Sequence, residues 1–161
     1  MVCLDIEGFK NGNDGPFMDE VNYVKPKGTQ DKLNEKFDAD IIWMYDMRDQ
    51  LGVFPHNVTS SSPLIIGDTI FVATSNGVDW SHTNIPSPLS PSWVALDKNS
   101  GELIGEDGSG ASAGALHAAW SRVALDGAGS APARRWFGAP DAPVADPGSF
   151  FHLKNPLAKR Y

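Results

Sequence analysis

The chain has 161 residues, enough for one domain of ordinary size, and its 41% hydrophobic and 20% charged residues suit a globular protein. A formal charge of −7 opposes wrapping nucleic acid or lying on anionic lipid. No run of about 18 apolar residues offers a membrane insertion, and the single cysteine, Cys3, excludes an intrachain disulfide and a multi-cysteine zinc site.

The 16 glycines and 12 prolines favour a turn-rich chain over a helical one. Met1-Val2-Cys3-Leu4-Asp5 has neither a basic nor an apolar leader segment, so no signal peptide is expected in this chain. It reads as the middle of a strand, and residue 1 is therefore expected not to be the natural start of the domain. From residue 6 to residue 40 the chain is rich in Gly, Asn, Asp, Lys and Pro, which predicts a long loop insertion. Ile41-Ile42-Trp43 then reads as a strand. Asp38, Asp40 and Asp46, around it, read as a solvated acidic face.

The middle of the chain carries the clearest pattern. Pro63-Leu64-Ile65-Ile66 and Thr69-Ile70-Phe71-Val72-Ala73-Thr74-Ser75 flank Gly67-Asp68, a two-residue hairpin turn whose glycine supplies a positive φ. Residues 76–91 form a second insertion. Its Ile85-Pro86-Ser87-Pro88-Leu89-Ser90-Pro91 run cannot join a sheet ladder. Trp93-Val94-Ala95-Leu96-Asp97 predicts a third strand, Lys98-Asn99-Ser100-Gly101 a turn, and Glu102-Leu103-Ile104 a fourth strand. Residues 61–107 thus predict a four-stranded antiparallel meander of about 45 residues, the size of one propeller blade.

The pattern recurs. Cys3-Leu4-Asp5 aligns with Ala95-Leu96-Asp97, and Ile41-Ile42-Trp43 with Leu103-Ile104-Gly105. Residues 56–63 have a fainter echo at 117–123. Residues 126–161 are dominated at first by Ala, Gly, Pro and Asp with little alternation. They read as a tail, either disordered or out of the repeat's reading frame.

The segment Ala95-Leu96-Asp97-Lys98-Asn99-Ser100-Gly101-Glu102-Leu103-Ile104 resembles the repeat of PQQ-type (quinoprotein-like) β-propellers, whose pattern runs Ala-x-Asp-x-x-Thr-Gly-x-x-x-Trp. Asp97 and Gly101 match, Ser100 replaces threonine, and Gly105 stands in the tryptophan position; in the first copy Trp43 occupies that position. Cys3-Leu4-Asp5-Ile6-Glu7-Gly8-Phe9, Phe54-Pro55-His56-Asn57 and Thr74-Ser75-Asn76-Gly77-Val78-Asp79 are similar to large bacterial propeller proteins of this kind. The resemblance covers residues 1–125. It implies an all-β fold: a partial β-propeller with antiparallel four-stranded blades and long loop insertions, which needs further blades to close. It also implies a periplasmic or secreted parent protein, and a repeat tryptophan that packs between neighbouring blades.

If strands alternate as predicted, the loop before the first strand and the loop after the second share one face. That places His56, Asp79, His82 and His117 together as candidates for a ligand face, where imidazoles could bind a small molecule or metal, and Trp80 and Trp93, which flank the loop, are candidates beside them with packing as their first alternative. Turn capping, solvation and core burial are the alternative for each. The function expected is a non-catalytic scaffold that binds a protein or small molecule, with no cofactor. A segment of a PQQ-dependent dehydrogenase is the first alternative. It would need PQQ with calcium and, by family resemblance, a pair of adjacent cysteines, whereas Cys3 is alone. A secreted glycan-binding module using Trp80 and Trp93 is the second. Asn57-Val58-Thr59 fits a glycosylation pattern weakly, and Ser60-Ser61-Ser62-Pro63 reads as turn chemistry before a strand.

Overall fold

The computed structural model describes residues 1–28, 32–34, 36–57, 61–114 and 151–153. The chain forms two compact units: Met1–Asp46 together with Asn99–Glu102, and Met47–Lys98 together with Leu103–Tyr161.

In the first unit, β1 (Val2–Leu4) pairs antiparallel with β2 (Ile41–Met44), with Cys3 opposite Trp43 and a register irregularity between Cys3 and Leu4. The period-2 alternation of β2 buries Ile41 and Trp43 and leaves Ile42 and Met44 half-buried. The insertion between the strands was expected as loop alone. It contains a 3₁₀ turn, Gly8–Asn11, that buries Phe9, and a short helix, α1 (Glu20–Val24). Pro26 follows α1 and disfavours helical geometry at the residue before it, so the helix stops there. The insertion is tied back to β2 where Phe17 donates its amide to the Ile42 carbonyl at 3.2 Å. Gly15 permits this approach: a β-carbon there would lie 2.4 Å from the Ile42 carbonyl oxygen.

The second unit holds a five-stranded antiparallel sheet in sequential order: β3 (Leu64–Ile66), β4 (Thr69–Ala73), β5 (Trp93–Asp97), β6 (Leu103–Asp107) and β7 (Phe151–Leu153). The first four are the antiparallel meander read from the sequence. Gly67 adopts φ +58° in the two-residue turn, with Ile66 opposite Thr69. β5 is the central strand, and Trp93, Val94, Ala95 and Leu96 are all buried, so both of its faces are covered. Burying side chains such as Val94 and Leu96 contributes about 1.5–3 kcal/mol each.

Three further elements, outside that insertion, depart from the expectation. β6 runs on to Asp107, beyond the anticipated end at Ile104. β7, inside the span read as a tail, pairs with β6 through His152 opposite Glu106. A short helix, α2 (Met47–Leu51), precedes Gly52, whose φ of +64° ends it. Among the described residues, no helix is long and apolar enough to cross a membrane.

Candidate functional site

The site is built on the segment that leads toward the sheet. Phe54 and His56 run antiparallel to the chain leaving β4: the His56 amide donates to the Ser75 carbonyl at 3.2 Å, and the Gly77 amide to the Phe54 carbonyl at 3.0 Å. Asn76 fastens this crossing. Its Oδ1 accepts the Phe54 amide at 2.8 Å, and its Nδ2 donates to the Ser87 carbonyl at 2.8 Å. The side chain is wholly buried, so these bonds are made away from water. Ser75, also buried, turns the chain out of the strand direction with φ +60°. Thr74 steadies the turn by donating to the Pro91 carbonyl at 2.7 Å.

This crossing delivers His56 to the loop between β4 and β5. His56 is 1% exposed, and its Nδ1 lies 2.8 Å from the Val78 carbonyl. A carbonyl only accepts, so Nδ1 carries the hydrogen in this bond. The His82 ring packs edge-on against His56 at a centroid distance of 4.6 Å and an interplanar angle of 75°. The indole of Trp80 lies 6.0 Å from the same ring and is 74% exposed. One buried, anchored imidazole therefore backs an exposed imidazole and an exposed indole.

Asp79 orders the loop that carries the two exposed rings. Its Oδ1 accepts from the Ser81 hydroxyl at 2.5 Å and the Ser81 amide at 3.0 Å, and its Oδ2 from the Asn84 side chain at 3.0 Å. The bonds from the Ser81 hydroxyl and the Asn84 side chain hold its carboxyl down to about 2. The carboxylate is thus committed to the loop, and the metal role open to it in the sequence gives way to a positioning role. His82 takes φ +59° at the end of this turn, its amide donating to the Asp79 carbonyl at 3.0 Å.

Of the remaining candidates, Trp93 is 7% exposed within β5 and belongs to the core, which removes it from a ligand face. His117 lies outside the described residues. Asp97 ends β5 opposite Thr69, Gly101 turns with φ +74°, and Trp43 is buried in the first unit. The solvated acidic face needs correction at Asp40, which is 0% exposed. Asp38 pairs with Lys25 at 2.6 Å with both side chains mostly covered, and only Asp46 is exposed.

Asn76 went unrecognised as a positioning residue because Thr74 and Ser75 read as the end of a strand and Asn76 as the first residue of a loop insertion. A second cluster was missed altogether. Carboxylate oxygens of Asp5, Asp14 and Asp40 lie within 4.8 Å of one another in the first unit. Its only signal was the amide- and acid-rich run Asn11-Gly12-Asn13-Asp14-Gly15. Beside it, a groove of about 620 Å³ is lined by Phe9, Phe37, Lys10 and Lys36, among others.

No family model, curated protein or solved structure matches this chain.

Proposed function

We propose that this chain is a non-catalytic binding module of the PQQ-like propeller kind, and that its ligand contacts the face formed by His56, Trp80 and His82. The observation that carries the reading is the aromatic cluster itself. An indole 74% exposed to water is held by an ordered loop beside a buried imidazole fixed by the Val78 carbonyl, and a second, exposed imidazole packs on that same buried ring. Such a surface suits a ring-bearing ligand that stacks on the indole and hydrogen-bonds to the outer imidazole. The antiparallel meander, and the seating of Trp43 on Gly101, support the blade-type architecture.

The exposed indole also favours a glycan as ligand, although burial of Trp93 leaves Trp80 as the only one of the two tryptophans to serve it. The dehydrogenase reading has less support, since it calls for a pair of adjacent cysteines and Cys3 is the single cysteine of the chain.

Two assays on the full chain test the proposal. With PQQ, Ca²⁺ and short-chain alcohols, no dye reduction is expected; sustained reduction overturns the non-catalytic reading. In a titration with soluble oligosaccharides, quenching of tryptophan emission that disappears in Trp80→Ala supports the glycan form. Binding that survives Trp80→Ala removes it.

A further inference from the structure

We infer that the loop insertion of the first unit holds a calcium ion, bound by Asp5, Asp14 and Asp40. Three carboxylates converge with oxygens within 4.8 Å of one another. Oxygens on opposite sides of a calcium ion are separated by about twice its 2.3–2.6 Å bond length, so this spacing lets all three reach one ion.

The cluster alone would not make a site. The decisive observation is Asp40. Its side chain is 0% exposed, its Oδ2 accepts the Asp14 amide at 3.0 Å, and its Oδ1 is buried without a hydrogen-bond partner among the described residues. A buried carboxylate oxygen stripped of water and left unpaired is strongly unfavourable, and a cation is the partner that two adjacent carboxylates invite. Among the described residues, no lysine or arginine pairs with any of the three.

What neutralises them instead is modest. Asn11 donates Nδ2 to Asp14 Oδ2 at 2.5 Å and to Asp5 Oδ2 at 3.1 Å, and the Glu7 amide donates to Asp5 Oδ1 at 2.8 Å. A half-turn of the Asn11 amide would present its oxygen in place of the NH₂ group and add a fourth protein ligand. All the donors are oxygens, on an irregular loop, which selects a hard and geometrically tolerant ion. The same insertion buries Asn13 Oδ1 and Glu20 Oε1 without hydrogen-bond partners among the described residues.

The site shares no residue with the aromatic face, and its test does not depend on that reading. The full chain, freed of metal with EDTA, is titrated with CaCl₂ by calorimetry and melted with and without Ca²⁺. One ion per chain is expected, with a dissociation constant of about 10⁻⁴ to 10⁻³ M or tighter. Ca²⁺ should raise the melting temperature by mass action. Asp14→Asn should weaken binding at least about tenfold, because charge count sets affinity, while its metal-free form melts no lower than the metal-free native chain. Asp5→Asn, at the end of β1, repeats the measurement if the first variant does not fold. Absence of both heat and stabilisation at about 10 mM Ca²⁺ overturns the inference, as does affinity unchanged in both variants. An equal effect of Mg²⁺ overturns the assignment to calcium.

Discussion

Trp43 sits directly on Gly101: a β-carbon added to the glycine would lie 2.5 Å from Cε3 of the indole and 2.6 Å from Cδ2. The glycine also has φ +74°, so the position excludes a side chain both by conformation and by space. Gly101→Ala should therefore cost about 2–4 kcal/mol, combining the left-handed penalty with overpacking. Trp43→Ala should cost about 3–5 kcal/mol as a cavity in the first unit. Removing the indole also removes the clash, so the double variant should be less destabilised than the sum of the two by at least about 1 kcal/mol. Chemical denaturation of the four proteins measures this coupling, and strict additivity would mean that the two residues are not in contact.

Asn76→Ala tests how the aromatic face is held. The substitution leaves the Phe54 amide and the Ser87 carbonyl without their partners at a covered crossing. A loss of about 1–3 kcal/mol is expected for each group left unsatisfied. Because this crossing delivers His56, the same variant should also weaken any ligand bound at Trp80. Asn76→Asp keeps the acceptor for Phe54 but sets a buried carboxylate oxygen against the Ser87 carbonyl, and should melt no higher than Asn76→Ala.

Much of this arrangement was legible before any coordinates. Gly67-Asp68 between two β-branched runs has few structural solutions, and it forms the expected hairpin. The pairing of Cys3 with Trp43 across a long insertion was visible because both strands have counterparts flanking Gly101. His56 and His82 could be grouped by strand alternation alone, whereas Trp80, beside the loop, reads first as a packing residue. The rest depended on contacts between residues far apart in sequence. Five-residue helices such as Met47–Leu51 are too short to show a helical period. Asp40 reads as a surface residue until the insertion folds back and covers it, and Trp93 reads as a loop-flanking ring until β4 and β6 enclose its strand. Phe151–Leu153 is a three-residue strand defined only by its partner β6.

Asp79 gives the loop a pH dependence. Its folded carboxyl is held down to about 2, below the ordinary value of 3.8, by the Ser81 and Asn84 bonds. A depressed carboxyl contributes order above its unfolded value and loses it as the pH falls toward its folded one. The Asp79-dependent part of the Trp80 signal should therefore be constant from neutral pH down to about pH 4 and change between about 4 and about 2. Subtracting the emission of Trp80→Phe isolates the signal. Asp79→Ala should lack this transition and show the altered emission at neutral pH.

The edge strand β3 exposes Ile65 and Ile66, at 55% and 37%. A strand paired on one side only, with exposed apolar side chains, invites pairing with other chains. Ile65→Lys should raise the concentration at which the protein stays monomeric in light scattering, with little change in thermal stability, since the side chain is already largely in water.

The proposed binding face is tested most directly by nuclear magnetic resonance of the histidine rings and tryptophan indoles during titration with the oligosaccharide that quenches most strongly. The account predicts that Trp80 and His82 shift together and saturably, that His56 follows through its ring contact, and that the buried Trp43 and Trp93 stay still. Saturable shifts confined to other residues, with Trp80 and His82 unmoved, would contradict it.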